Sequence, residues 1–246
     1  MKLKKTLKNI LKSIGYDLVR LDGGLGYGSS ENELLKFMKE TQVDLILDIG
    51  ANKGQFGKAM YNFGYDNKIL SFEPLSAMHK MLKETSESFP NWHVYEQCTI
   101  GEKETTTTIN ISNLVGNSSI LPIKSTEYNV QNSHYVEKEE VKQITLASLN
   151  KNDNVKSAKN IFVKMDVQGY EHFILNTLKE TNYNIVGFYI EMSLVKLYDG
   201  QEDYLYICNL LKDLGYDLVY VFPESIRNQR MIQCNGVFLN NTLSYK

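Results

Sequence analysis

Asp48-Ile49-Gly50-Ala51-Asn52-Lys53-Gly54 closes a short apolar run, and its reading decides the fold. Residues 44–49 have the length and composition of a buried strand that ends at a glycine. Gly50 permits a tight turn and close approach of a ligand to the backbone, and residues 55–63 then read as a helix. The unit recurs: residues 68–72 form a second strand ended by Glu73-Pro74, residues 77–86 a helix, and residues 92–100 a third strand. Further on, strands are expected at 161–167 and 185–191, with helices at 171–179 and 204–214. Residues 217–222 and 236–239 have no helix between them and read as an antiparallel hairpin. Strands alternating with helices imply βαβ units and a mainly parallel sheet. The expectation is an α/β fold: a doubly wound sheet of seven core strands with a terminal antiparallel hairpin.

Residues 101–150 interrupt the rhythm. The β-branched stretches 105–112 and 141–146 flank a polar loop holding Asn117-Ser118-Ser119 and His134, which reads as an inserted β-hairpin with a long tip. Insertions at strand ends usually carry substrate specificity. At the other end of the chain, residues 1–40 read as a helical segment packed on one domain spanning 41–246. Leu3, Leu7, Ile10, Leu11 and Ile14 repeat at helical spacing, a glycine-rich loop covers 22–30, and a second helix covers 31–39.

The 246 residues are 42% hydrophobic and 23% charged, as in ordinary globular proteins, and the net charge of −2 offers no field for nucleic acid. The balance is uneven: residues 1–20 carry +5 and the remainder −7. The first fifteen residues therefore offer at most a weak peripheral contact with an anionic membrane, although such lysines are more often a solvated face. Cys98, Cys208 and Cys234 form no C-x-x-C pair, which argues against a disulfide framework and a zinc site and fits a reducing compartment. No stretch approaches the ~18 apolar residues of a membrane span, so a soluble, cytoplasmic protein is expected. The oligomeric state is not legible.

In an open α/β sheet, ligands sit beyond the carboxyl ends of the strands at the topological switch point. The loop there is not G-x-G-x-x-G: Asn52 replaces the middle glycine and Asp48 precedes the turn. A pyrophosphate would meet Asp48 as a like charge. S-Adenosylmethionine carries an ammonium and a sulfonium, for which a carboxylate is attractive. Glu73, 25 residues after Asp48, can accept hydrogen bonds from both ribose hydroxyls, a device that NAD sites share. Asp48, Gly50, Asn52, Gly54, Glu73 and Pro74 are thus the candidate cofactor residues. An NAD-dependent oxidoreductase is the disfavoured alternative, and a non-catalytic S-adenosylmethionine- or glycan-binding protein is another.

Asp166 and Glu191 end the fourth and fifth strands, where this topology would face the reacting group, and either could act as base or orient the acceptor. Together they could hold a divalent cation, but two carboxylates are a thin ligand set and a metal is not favoured. Ser118, Ser119, His134 and Glu171 are candidate substrate contacts. Their structural alternatives are a turn for the serines, a solvated loop for His134 and a dipole-favourable first-turn acid for Glu171. Lys164 should share a strand face with Asp166, with a structural ion pair as its plain alternative.

From about residue 43 to 192 the chain resembles the FkbM family of methyltransferases. D-x-G-A-N-x-G is matched by Asp48, Gly50, Ala51, Asn52 and Gly54, and F-E-P by Phe72, Glu73 and Pro74. K-x-D-x-x-G-x-E is matched by Lys164, Asp166, Gly169 and Glu171, the next strand-end acid by Glu191, and a Ser-Ser pair after glycine by Ser118 and Ser119. The resemblance implies a Rossmann-like methyltransferase sheet, S-adenosylmethionine as cofactor with Cys98 and Thr99 near its adenine, and O-methylation of a sugar, glycan or polyketide hydroxyl. Two positions depart from the pattern. Gln168-Gly169-Tyr170-Glu171 stands where the family often has Glu-Gly-Ala-Glu, and Thr99 stands where it often has a small residue.

Overall fold

Apolar runs buried on both faces place β1 (Leu45–Ile49) and β7 (Ile161–Met165) side by side in the centre of a parallel sheet. β2 (Lys68–Phe72) and β3 (Trp92–Val94) continue the sheet outward from β1. β8 (Ile185–Ser193), β10 (Arg230–Asn240) and β9 (Tyr216–Arg227) complete it on the other side, in the order β3-β2-β1-β7-β8-β10-β9. The chain steps outward from β1 to β3 and then returns to the far side of β1. That reversal opens a crevice beyond the carboxyl ends of β1 and β7. This computed structural model describes residues 30–126, 128 and 133–242. The helix expected over residues 3–14 and all but the last residue of the loop expected over 22–30 lie outside the described residues.

The period of two along each strand divides the core. Leu45, Leu47, Ile49 and Val163 face one layer, while Ile46, Ile69 and Phe162 face the other. Helix Ser30–Glu40 buries Leu34, Leu35 and Met38 in the second layer. Trp92 seals it: the indole packs over Gly54 and Gly57, and its Nε1 donates to Ser71 Oγ at 2.9 Å.

Three expectations about strands need correction. The strand expected over 92–100 is two strands, because the chain leaves the main sheet after Val94. β4 (Thr99–Ile100) instead pairs in parallel with β6 (Tyr135–Ile144), whose other neighbour is the antiparallel β5 (Thr105–Ser112). The second arm of the insertion begins at 135 rather than 141, since Glu137-Lys138-Glu139-Glu140 is solvated and carries no apolar alternation. The terminal hairpin is likewise longer than expected. β9 and β10 continue to Arg227 and Arg230, joined through Asn228 and Gln229, which both take positive φ (48° and 61°) as a two-residue hairpin turn requires. The expected helix 171–179 is a shorter α-helix, Glu171–Leu175, followed by a 3-10 turn, Leu178–Glu180.

Glu139 fastens the insertion over the site. Its carboxylate accepts from the Ser76 N–H at 3.1 and 3.3 Å and from Gln97 Nε2 at 2.8 Å, and the same amide nitrogen reaches Pro74 O at 2.7 Å. Ser76 opens helix Ser76–Ser86, where an acid is favourable. Among the described residues, no helix is long and apolar enough to cross a membrane.

The packing at Gly57 decides between two opposed effects. Alanine in a helix interior is worth about 0.8–1 kcal/mol over glycine. A methyl at Gly57, however, would lie 2.4 Å from the Trp92 ring, and overpacking typically costs about 1–3 kcal/mol. Gly57→Ala is expected to lower the melting temperature, whereas Gly116→Ala, with open space around it, is expected to leave it near wild type. Thermal unfolding followed by circular dichroism checks both.

Candidate functional site

The site is built where the loop after β1 meets the loop after β7. Gly50 sits at φ +74°, and a Cβ on it would fall 1.9 Å from the Asp166 carbonyl oxygen, so the backbones meet as closely as glycine allows. The N–H groups of Gly50 and Ala51 donate to Phe72 O at 3.1 and 3.0 Å. Asn52 follows in the left-handed region at φ 51°, which asparagine tolerates better than most residues. Its N–H donates to Glu73 Oε2 at 2.8 Å, and Glu73 Oε1 accepts from Leu75 N–H at 2.9 Å. Burial pushes the Glu73 carboxyl up to about 7, and these two donors restrain the rise.

Asp48 does something other than expected. Register places it beside Ser71 on β2 and Lys164 on β7, all on the face of Ile46, Ile69 and Phe162. The carboxylate is fully buried and stands off the cleft. Ser71 Oγ donates to its Oδ2 at 3.1 Å, and Oδ1 has the Lys164 ammonium at 3.3 Å but no hydrogen-bond donor. Burial pushes the Asp48 carboxyl up, and the Lys164 charge pulls it back. Lys164 Nζ instead donates to Gly50 O at 2.8 Å. A carboxylate this deep is answered by an internal cation, so its contribution to the site runs through the loop that Lys164 holds. The ion pair anticipated for Lys164 is made with Asp48, across the sheet.

Beyond β7 the chain makes a tight turn with Gln168 at φ 53° and Gly169 at φ 95°. Glu171, buried, holds this turn from below. Its Oε1 accepts from Val167 N–H at 3.0 Å and Gly169 N–H at 3.3 Å, and burial pushes the carboxyl up to about 7. Above the turn, Gln168 Nε2 donates to Asp166 Oδ1 at 2.8 Å and to Glu191 Oε2 at 3.0 Å. Burial raises the Glu191 carboxyl well above its ordinary value, with the Asp166 and Glu171 charges adding to the rise. Tyr198 OH donates to Gln168 Oε1 at 2.8 Å, and Ser119 Oγ donates to Gln168 O at 2.7 Å.

These elements enclose a cleft of about 140 Å³. Gly50, Asn52, Glu73, Pro74, Cys98, Thr99, Ser118, Ser119 and Asp166 all line it, together with an apolar wall of Ile49, Phe72, Leu75, Met78, Ile100 and Ile109. Asp48, Gly54, Glu171 and Glu191 stand behind the wall. Gly54 caps helix Gln55–Asn62 at φ 88°, and Glu191 reaches the site through Gln168. His134 is exposed and away from the cleft; its backbone pairs with Asn113 at the start of the insertion's second arm. His172 packs against Phe173 and Tyr206. Gln168 and Tyr198 are the residues that sequence reasoning did not assign to the site. Gln168 was visible as a departure from the family pattern, but Tyr198 had no local signal. Among the described residues no group of three or more His, Cys, Asp or Glu side chains could hold a metal ion.

Glu171 has a pH signature. Its folded value of about 7 lies above the ordinary 4.5. The stability this group contributes is therefore fully present below about 4.5 and is lost as pH rises through 7, by up to roughly 3 kcal/mol. Glu73 acts in the same direction over the same window. Glu171→Gln keeps an acceptor for Val167 and Gly169 without the charge. In urea titrations the wild type is expected to be less stable at pH 8 than at pH 5. The variant should be more stable than wild type at pH 8 and show a shallower pH dependence.

Over residues 48–218 the sequence matches the methyltransferase FkbM domain. No curated protein sequence matches the chain. Among solved structures it is similar to magnesium protoporphyrin IX methyltransferase from Synechocystis PCC 6803, at 9% identity over 96% of this chain and 99% of that one, with a TM-score of 0.47. It is also similar to a TehB-like SAM-dependent methyltransferase from Corynebacterium glutamicum, at 11% identity over 97% of both chains, with a TM-score of 0.45. The domain match covers more than half of the sequence, and the chain belongs to the FkbM family of S-adenosylmethionine-dependent methyltransferases.

Proposed function

We propose that the chain is an O-methyltransferase acting on a hydroxyl of a sugar, glycan or related small molecule in the cytoplasm. The observation that carries this reading is Asp166. It is a carboxylate on the cleft wall, tied through Gln168 to a small polar recess beside the cleft. Asn117, Ser133, Gln168, Tyr198 and Gln233 line that recess, with Ile123 and Leu197 as its apolar part. Amides and hydroxyls can both donate and accept without net charge, which suits a neutral polyol.

The residues fit the cofactor. Each Glu73 oxygen spends one lone pair on a backbone N–H and keeps another for a ribose hydroxyl. Cys98, Thr99, Ile100 and Ile109 offer the flat, mainly apolar surface that adenine needs, and the turn at Gly50–Asn52 bounds the other end. When bound, the cofactor supplies a methyl group on a cationic sulfur, open to in-line displacement. With the cofactor bound, Asp166 would take the proton of the acceptor hydroxyl. Such a base typically adds about 10²–10⁴-fold, and alignment can supply roughly 7–11 kcal/mol. Glu191 and Ser119 orient Gln168, Glu171 holds the turn, and Ser118 closes the insertion loop by accepting from Ser112 N–H at 3.0 Å.

Two measurements test this. In calorimetry, S-adenosylmethionine is expected to bind the wild type and to bind Glu73→Ala at least about tenfold more weakly, since hydrogen bonds to charged groups are worth about 1.5–3 kcal/mol. Incubation with methyl-labelled S-adenosylmethionine and a panel of sugars and glycans is expected to yield a base-stable methyl ether. Asp166→Asn should retain cofactor affinity and lose roughly 10²-fold or more in turnover. Cofactor binding with no labelled product from any hydroxyl acceptor would favour a binding-only protein.

A further inference from the structure

We propose that Gln168 is a positioning residue that joins Asp166 and Glu191 into one unit and selects which oxygen of each can receive a proton. This rests on the base role given to Asp166 above. The amide nitrogen has two hydrogens and meets two carboxylate oxygens, Asp166 Oδ1 at 2.8 Å and Glu191 Oε2 at 3.0 Å. The amide's orientation follows from chemistry. Flipping it would set its carbonyl oxygen against two acceptors, whereas the orientation seen lets that oxygen accept from Tyr198 OH at 2.8 Å. The main chain is fixed as well: Ser119 Oγ donates to Gln168 O at 2.7 Å, and the residue sits at φ 53°, a conformation that a long side chain seldom adopts without support.

A nitrogen that can only donate disfavours a proton on either oxygen it meets, because a protonated oxygen is the weaker acceptor. A proton taken by the pair is therefore favoured on Asp166 Oδ2 or Glu191 Oε1. Among the described residues no donor occupies either atom. The acceptor hydroxyl is thereby directed to one face of Asp166 rather than to any of four oxygens, and alignment of this kind is where much of the barrier to methyl transfer is removed. The amide also offsets the repulsion between two neighbouring carboxylates, which would otherwise drive one of them to protonate. The titratable groups whose charges act on the pair are Lys164 on β7, Asp48 on β1, Glu171 from the following helix, Glu224 on β9, Cys234 on β10 and the Tyr189 and Tyr198 hydroxyls. Lys164 is the one cation among them, and its hydrogen bonds go to Gly50 O and Ile49 O.

The test is a pH titration of the Glu191 side-chain carboxyl by carbon-13 NMR in the intact protein, which needs no acceptor. Gln168→Met keeps the length of the side chain and removes both donors. It is expected to move the Glu191 midpoint upward by about one pH unit or more, a tenfold or larger gain in proton affinity. Tyr198→Phe, which frees the far end of the amide, should shift it in the same direction by less. Gln168→Glu adds a third carboxylate and should shift it furthest. A purely structural role would lower the melting temperature and leave the midpoint in place. Unchanged midpoints in folded Gln168→Met and Tyr198→Phe, or a downward shift in either, would overturn the proposal. If Gln168→Met does not fold, Tyr198→Phe decides on the same criterion. A protein that methylates no sugar would defeat the proposed function without altering this titration, so the two readings fail separately.

Discussion

The ammonium of Lys164, wedged between the Asp48 carboxylate at 3.3 Å and the Gly50 carbonyl at 2.8 Å, is the constraint on which the site depends. A fully buried carboxylate is tolerable only with a partner, and removal of one member of such a pair typically costs about 3–5 kcal/mol. Parallel register supplies the partner, because Asp48 on β1 is level with Lys164 on β7. The same register sets Ser71 on its other side, and Ser71 is held in turn by the Trp92 indole. The chain of contacts from Trp92 to Lys164 crosses four strands and ends on the loop that lines the cleft. Sheet geometry and site geometry are thus a single arrangement.

Beyond that loop, Glu171, Asp166 and Glu191 crowd one turn of the chain, and the donors each one meets separate them. Glu171 is met by two backbone N–H groups and holds the turn at Gln168 and Gly169. Asp166 and Glu191 share a single amide nitrogen. Buried acids without such donors would neutralise themselves by taking up protons. The turn itself supplies these donors, and Gln168 is held in place by the insertion through Ser119 and by the segment after β8 through Tyr198. The insertion is therefore part of the site as well as a cover over it, and Glu139 anchors its second arm at the mouth of the β2 loop.

Much of this was legible in the order of residues. Apolar runs ending at Gly50 and at Glu73-Pro74 mark strand ends wherever they occur, because a buried strand needs both faces apolar and a turn needs a permissive residue. The extra strand length in the insertion and the terminal hairpin was not legible. Glu137-Lys138-Glu139-Glu140 and Pro223-Glu224-Ser225 are solvated, and a solvated strand shows no apolar period. His134 looked like a candidate because it lies in the inserted loop, yet it is exposed away from the cleft.

The sequence by itself determined the doubly wound sheet and pointed to Glu73, Asp166 and Glu191 as acids at the ends of its strands. These follow from local patterns: period, length and the residues permitted at turns. Tertiary structure alone decided what each acid meets. Asp48 looked poised to meet a cation from outside and instead meets Lys164 inside, because pairing across strands, 116 residues apart in the chain, sets its neighbours. Gln168 appeared only as a substitution in a motif, and it became the bridge between Asp166 and Glu191 once β7, β8 and Tyr198 were brought together. A charge is defined by what surrounds it, and those surroundings come from distant segments that no local pattern records.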